Sequence, residues 1–320
     1  MRALVHHRYG SPDVVEYVET EKPSPKDDEV FIRVRAASLN PLDWHFVRAT
    51  PAIARLFLGL PGPREPRIGR DVAGRVEAVG KNVKRFKAGD EVFGVSRGAF
   101  AEYACPSESM LAMKPENVTF EQAAAVPIAG LTALQALRDK GHMQRGHRVL
   151  INGASGGVGT FAVQVGKVLG AEVTGVCSTR NVDLVRSLGA DRVIDYTRED
   201  FTRGQERYDM ILDTVGNHSF SECRRVMNPS AVLVPIGAAR AVIRGLMRLV
   251  IELQVSRFTT QKLSTFIARI DVGDLAAMAN LIASGKITPV IDKRYKLSEG
   301  REAFRYFAEG HARGKVVLTV

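Results

Sequence analysis

Val149-Leu150-Ile151-Asn152-Gly153-Ala154-Ser155-Gly156-Gly157-Val158-Gly159 is the stretch that decides the fold. A short apolar strand runs straight into glycines, and a helical pattern of apolar residues begins near Val158. Glycine permits the tight turn and lets backbone N–H groups come close to a pyrophosphate. The N-terminus of the following helix adds partial positive charge at the same place. The spacing G-x-G-x-x-G would need glycines at 154, 156 and 159, and position 154 is alanine, so the match is imperfect. The strand–turn–helix context gives the segment its weight, because glycines alone say little.

Downstream of this loop the same alternation continues. Glu172-Val173-Thr174-Gly175-Val176, Arg192-Val193-Ile194, Met210-Ile211-Leu212 and Val232-Leu233-Val234 read as compact strands. Glu121 to Leu137 and Thr160 to Leu169 carry helical spacing. Strands alternating with helices predict an α/β domain built on a doubly wound parallel sheet. Upstream, to about residue 118, short strands stand between glycine and proline punctuation, for example Glu29 to Ala36 and Val72 to Gly80. The tail returns to β segments and ends in Gly314-Lys315-Val316-Val317-Leu318-Thr319-Val320. The reading is therefore a β-rich domain over 1–118, a nucleotide-binding domain inserted over 119–261, and a return to the first domain over 262–320.

Composition narrows the class. The 320 residues are 45% hydrophobic and 25% charged, which excludes a disordered chain. Cys105, Cys177 and Cys223 are scattered and odd in number, which argues for a reducing compartment and leaves no CxxC pair for a structural metal. The N-terminus has no long apolar core, and no run of about 18 apolar residues occurs, so a cytoplasmic location is expected. The net charge of +10 comes without zinc-finger spacing or an aromatic RNA-binding signature. We read it as a field that attracts an anionic cofactor, with no nucleic-acid partner.

The choice of cofactor is read about 20 residues beyond the loop. An NAD site would place Asp or Glu there, whereas this chain has Cys177-Ser178-Thr179-Arg180. Two hydroxyls and a guanidinium suit the 2′-phosphate of NADP(H), and Tyr196 after the next strand adds a phenol from the same side. The alternative reading leaves Arg180 as a solvated charge and Tyr196 as a surface side chain.

Several segments, taken in order, carry a resemblance. They are Ala36-Ala37-Ser38-Leu39-Asn40-Pro41-Leu42-Asp43, Ile68-Gly69-Arg70-Asp71-Val72-Ala73-Gly74, Gly130-Leu131-Thr132-Ala133, the glycine loop, Leu188-Gly189-Ala190-Asp191 and Gly314-Lys315-Val316-Val317. Over nearly its whole length the chain resembles the zinc-independent quinone oxidoreductase branch of the medium-chain dehydrogenase/reductase superfamily. The resemblance implies a Rossmann domain inserted in a GroES-like catalytic domain, an active-site cleft and a homodimer. It places Ser155, Gly156, Gly157 and Val158 against the pyrophosphate, Asn40 and Thr132 near the nicotinamide, and backbone of Gly237 close to it.

Departures from the zinc-using relatives matter equally. Those relatives place Cys where Asn40 stands, Gly-His-Glu where Gly69-Arg70-Asp71 stands, and a four-cysteine lobe where Val95 to Phe100 passes straight through. A catalytic zinc needs about three N, S or O ligands, and no histidine spacing restores them, so no metal is expected. Without a Lewis acid, the easier chemistry is hydride addition to an acceptor that is already electron-poor, a quinone or α,β-unsaturated carbonyl. Such an electrophilic small molecule is the expected partner. Asn40 is the candidate polar group near the nicotinamide, or else a turn residue before Pro41. His45 is the candidate hydrogen-bond or proton donor, or else a packing residue beside Trp44. Ile53, Leu56, Phe57 and Leu58 either roof an apolar pocket or pack as a short helix. The stretch 240–260, with Arg240, Arg244, Arg248 and Arg257, is read as covering a pocket or forming a subunit contact, with a membrane surface as the alternative. Competing functions are reduction of an enoyl thioester and an NADPH-binding sensor or scaffold with little turnover.

Overall fold

The computed structural model describes residues 1–50, 55–236, 254 and 259–320. Gly237, Ile53 and nearly all of the arginine-studded stretch 240–260 lie outside the described residues. The chain forms two compact units, Met1–Leu131 with Arg269–Val320, and Thr132–Ala268.

The second unit is built on six strands: β8 (Arg148–Asn152), β9 (Glu172–Cys177), β10 (Arg192–Asp195), β11 (Tyr208–Asp213), β12 (Met227–Pro235) and β13 (Lys262–Leu263). Their spatial order is β10-β9-β8-β11-β12-β13, and every pairing is parallel. Counted from β8 this is the order 3-2-1-4-5-6 of a doubly wound dinucleotide-binding sheet. The strand centres are closed to water on both faces, with Val149, Leu150, Ile151, Met210, Ile211 and Leu212 all fully buried. That accounts for the continuous apolar runs in the sequence. The sheet changes winding direction between β8 and β11, so ligands bind where those two strands end. Helix α5 (Gly157–Val168) follows β8, and α6 (Val182–Ser187) follows β9.

The first unit carries a mostly antiparallel sheet in the order β14-β15-β3-β4-β5-β7, with β6 (Tyr103–Ala104) also pairing β3. Its strands are β3 (Val30–Ser38), β4 (Asp71–Val79), β5 (Glu91–Val95), β7 (Leu111–Met113), β14 (Ile291–Lys296) and β15 (Lys315–Thr319). β15 is antiparallel to β3, with Val317 opposite Ser38, so the end of the chain completes the sheet begun near its start. This pairing fixes Lys315 near the C-terminal end of β3. Helix α1 (Pro41–Arg48) leaves β3 at once. Asn40 is its N-cap, Pro41 opens the first turn, and Asp43 at the third position receives the Asn40 backbone N–H at 2.8 Å. Helices α2 (Arg55–Leu58), α3 (Phe120–Ala124) and α4 (Pro127–Gln135) come next, and α3 packs on β3 and β4.

Candidate active site

In the nucleotide unit, the turn after β8 has the backbone that a phosphate loop requires. Gly153 has φ +85°, and a Cβ there would stand 2.3 Å from Thr214 Oγ1 in the turn after β11. A Cβ on Gly159 would stand 2.1 Å from the Gly153 carbonyl, so this glycine lets the helix close onto the strand. The turn glycine is thus residue 153, which resolves the imperfect spacing. Ala154 is tolerated as a buried side chain because it faces Gly175, whose missing Cβ leaves the room. The Gly156 N–H donates to the Gly153 carbonyl at 3.0 Å, and Gly156 is the N-cap of α5. The N–H groups of Gly157, Val158 and Gly159 then form the first helical turn, which has no intrahelical acceptors and favours an anion.

At the switch point, Asn152 ends β8 and Asp213 ends β11. Asn152 Nδ2 donates to Asp213 Oδ1 at 2.9 Å and to Asn217 Oδ1 at 2.8 Å. Asp213 Oδ1 also accepts the N–H groups of Val215 and Gly216. These bonds tie both loops together at the mouth of the sheet.

The ends of β9 and β10 bring Ser178, Thr179 and Tyr196 together, since the Tyr196 N–H donates to the Cys177 carbonyl. Ser178 caps a short 3-10 turn over Thr179–Asn181. Asn181 is buried and donates to Ser155 Oγ at 3.0 Å and Ser178 Oγ at 3.2 Å, while its Oδ1 has no hydrogen-bond partner among the described residues. Arg180 is exposed, and Tyr196 is 58% exposed. A carboxylate shares this corner. Asp195 Oδ2 accepts the Thr179 hydroxyl at 2.6 Å, a bond that holds the Asp195 pKa down.

In the catalytic unit a buried polar cluster surrounds Asn40. Lys315 Nζ donates to Asn40 Oδ1 at 2.6 Å and to Asp71 Oδ2 at 3.1 Å. Asn40 Nδ2 donates to the same Asp71 oxygen at 2.9 Å, and Ser38 Oγ does so at 2.9 Å. Asp71 Oδ1 accepts the Ile128 N–H at the start of α4. Asn40, Asp71 and Lys315 are 2%, 0% and 3% exposed, so this is an ion pair inside the unit, with the Asn40 amide locked at both ends. Asp43 is buried beside them, its Oδ1 without a hydrogen-bond partner among the described residues, and burial, reinforced by the Asp71 charge, pushes its carboxyl up to about 7. His45 is half-buried in α1, and burial together with the Arg48 charge lowers its pKa, so it is neutral at pH 7. Thr132 is buried within α4.

With these geometries in view, comparison with known proteins places the chain. A family model described as "Alcohol dehydrogenase GroES-like domain" matches residues 26–116, and one described as "Zinc-binding dehydrogenase" matches 188–318. The chain is 33% identical to the "Chloroplast envelope quinone oxidoreductase homolog" of Arabidopsis thaliana, over 99% of this chain and 98% of the relative. It is 34% identical to the "2-methylene-furan-3-one reductase" of Solanum lycopersicum, over 99% and 79% respectively. Among solved structures it resembles mycobacterial Rv1454c complexed with NADPH, with TM-score 0.83, 26% identity and complete coverage of both chains. The chain belongs to the medium-chain dehydrogenase/reductase superfamily, in its quinone oxidoreductase-like branch.

This superfamily member is an NAD(P)H-dependent oxidoreductase. Its donor set does not fit the zinc ion that one family description names. The Asn40 and Asp71 oxygens are already bound by the Lys315 ammonium, and a dication would have to stand against that charge. Among the described residues no three His, Cys, Asp or Glu side chains are grouped to hold a metal. Sequence reasoning missed Lys315, Asp71, Asn181, Asp195 and the Asn152–Asp213 link as functional groups. One signal was available for the first of these, a lysine opening a strand that is otherwise Val-Val-Leu.

Proposed function

We propose that this enzyme transfers hydride from NADPH to quinones and α,β-unsaturated carbonyls, and does so without zinc. The observation that carries the proposal is the glycine turn of residues 153–159 at the switch point of a 3-2-1-4-5-6 sheet. The first turn of α5, with Ser155 to Val158, is assigned to the pyrophosphate. Ser178, Thr179, Arg180 and Tyr196 are assigned to the 2′-phosphate, as hydroxyl, phenol and guanidinium donors at one corner. The Asp195 carboxylate in that corner opposes a second anion, but its charge is engaged by Thr179 and Thr197 hydroxyls. The NADPH complex of the mycobacterial relative supports the same choice.

NADPH supplies the hydride, so the protein has to orient the acceptor and meet the charge that grows on its oxygen. Asn40 has both ends of its amide committed and is assigned as a rigid positioning group rather than a free donor. His45, kept neutral by burial, is assigned the N–H that hydrogen-bonds the acceptor oxygen, with solvent completing the proton delivery. Thr132 and backbone of Gly237 are assigned to the nicotinamide end. The reading includes a homodimer, on family likeness, and a cytoplasmic enzyme, in keeping with the scattered, odd-numbered set of Cys105, Cys177 and Cys223.

The test is NADPH and NADH oxidation with a quinone, an enone and a simple aldehyde, with and without chelator. The expected result is NADPH-selective turnover of the quinone or enone that chelator leaves unchanged. Activity confined to the aldehyde, or lost with chelator, refutes the zinc-free reading. Tight NADPH binding with no turnover across quinones, enones and enoyl thioesters favours a sensor.

A further inference from the structure

Arg70 stands one residue before Asp71, on backbone that is fixed from both sides. Gly69 has φ +103°, and a Cβ there would lie 2.4 Å from the Phe100 ring. The Ala99 N–H donates to the Gly69 carbonyl at 3.2 Å, and the Ser96 N–H donates to the Arg70 carbonyl at 2.8 Å. The side chain is half-buried, and its guanidinium lies 5.0 Å from the centroid of the Phe46 ring. Among the described residues it makes no hydrogen bond and no ion pair. A guanidinium has five N–H donors, and taking it partly out of water without acceptors is costly. Accordingly, burial lowers the Arg70 pKa.

The neighbouring carboxylates are otherwise engaged. Glu65 is bound by Arg67 at 3.0 Å. Asp43 gives one oxygen to the Asn40 N–H, and burial keeps it partly protonated near neutrality. Arg97 adds a second positive charge that acts on Arg70. The result is a guanidinium on a rigid frame that feels the Asp43 and Glu65 carboxylates through space but is hydrogen-bonded to neither among the described residues, and that lies over the Phe46 ring of α1. It is adjacent in sequence to Asp71, which binds Asn40, and α1 also carries His45. The Phe46 ring provides no hydrogen-bond acceptor of carboxylate type, so the N–H donors of the guanidinium are available to a planar anion.

We propose that Arg70 is an acceptor-binding residue that selects acceptors carrying a carboxylate beside an apolar or aromatic group. The proposal rests on the hydride-transfer reading above for the word acceptor, while binding itself is measurable without turnover. Phe46 supplies the apolar surface and the Arg70 N–H edge holds the carboxylate in two parallel bonds.

The probes are β-benzoylacrylate and its methyl ester for turnover, and the unreactive β-benzoylpropionate for binding to the protein loaded with NADP+. In Arg70→Gln, the acid-to-ester ratio of kcat/KM is expected to fall about ten- to hundredfold, the range for hydrogen bonds to charged groups. The Kd of β-benzoylpropionate is expected to rise by a similar factor, and Arg70→Lys to recover part of both. Far-UV circular dichroism and the NADPH Kd of each variant establish that the fold and cofactor site persist. A ratio that changes less than twofold, or equal losses for acid and ester, overturns the assignment. A weaker NADPH Kd with an unchanged acid-to-ester ratio also overturns it, and places Arg70 with the cofactor. If the wild type reduces neither acid nor ester nor any quinone, the hydride-transfer reading fails. The β-benzoylpropionate titration then decides the Arg70 assignment by itself.

Discussion

Replacing Lys315 by methionine removes the cation from the buried Asn40–Asp71–Lys315 cluster and keeps the length of the side chain. Asp71 is fully buried, and its Oδ2 then keeps only the Ser38 and Asn40 donors. Breaking a buried pair by deleting one partner costs about 3–5 kcal/mol, because the remaining charge is left uncompensated. For a unit of this size that corresponds to a drop of about 6–20 °C in its transition, at about 2–4 °C per kcal/mol. Scanning calorimetry is the assay, comparing the transition temperature of the variant with that of the wild type. The double variant Asp71→Asn with Lys315→Met carries no buried charge at this position and should recover at least half of the loss. A Lys315→Met cost below about 1 kcal/mol, or a double variant no more stable than Lys315→Met alone, would refute the reasoning.

Asp43 predicts a pH-dependent stability difference. Its folded pKa, about 7, lies above an unfolded value of about 3.9, so the wild type loses about 1.4 kcal/mol per pH unit relative to Asp43→Asn between those values. The loss is complete above about pH 7, and a constant difference between the two proteins across pH 4.5–8 would count against the burial argument. Arg180→Ala should raise the KM for NADPH by about tenfold or more while changing that for NADH little, as expected when a charge-assisted contact to the 2′-phosphate is lost. Equal effects on both cofactors would reassign Arg180 to the surface. Gly159→Ala must displace either the Gly153 carbonyl or α5, because the added Cβ would sit 2.1 Å from that oxygen. It should weaken NADPH binding more than tenfold by fluorescence titration and cost about 1–3 kcal/mol in denaturant unfolding.

The parallel sheet was legible because its strands are buried on both faces, so apolar runs such as Val149-Leu150-Ile151 carry the signal without ambiguity. The phosphate loop was legible for a related reason: glycines are obligatory where φ is positive or a helix touches a carbonyl. Even there, the usual spacing calls for a glycine at 154, where the chain has alanine. The turn begins at Gly153, and only the approach of Thr214 and the facing Gly175 show why position 154 can be alanine. The buried polar cluster was harder to read because it is non-local. Asn40, Asp71 and Lys315 lie on three separate segments, and only the antiparallel pairing of β15 with β3 brings the last lysine to the first two. The same is true of Asp195, which follows a different strand from Thr179 and meets it only through the parallel register of β9 and β10.

The internal ammonium also explains what kind of acceptor this catalytic unit can serve. In a zinc enzyme a metal with an open position binds the substrate oxygen and polarises it. Lys315 cannot do the same from where it stands. It is 3% exposed, and two of its three N–H bonds are spent on Asn40 and Asp71. Its charge is balanced locally by Asp71, so it stabilises architecture and offers little to a developing oxyanion. An acceptor must then bring its own electron deficiency, as quinones and enones do. Arg70, by contrast, has no hydrogen-bond partner for its side chain among the described residues, and under the proposal above its guanidinium would hold an acceptor's anionic group. The two cations thus have separate roles in this reading: Lys315 holds the buried cluster, and Arg70 would hold a carboxylate remote from the reacting oxygen. It follows that Lys315→Met should depress the rate with acid and ester acceptors alike, whereas Arg70→Gln should separate them. A Lys315 variant that altered the acid-to-ester ratio would show that this division is wrong.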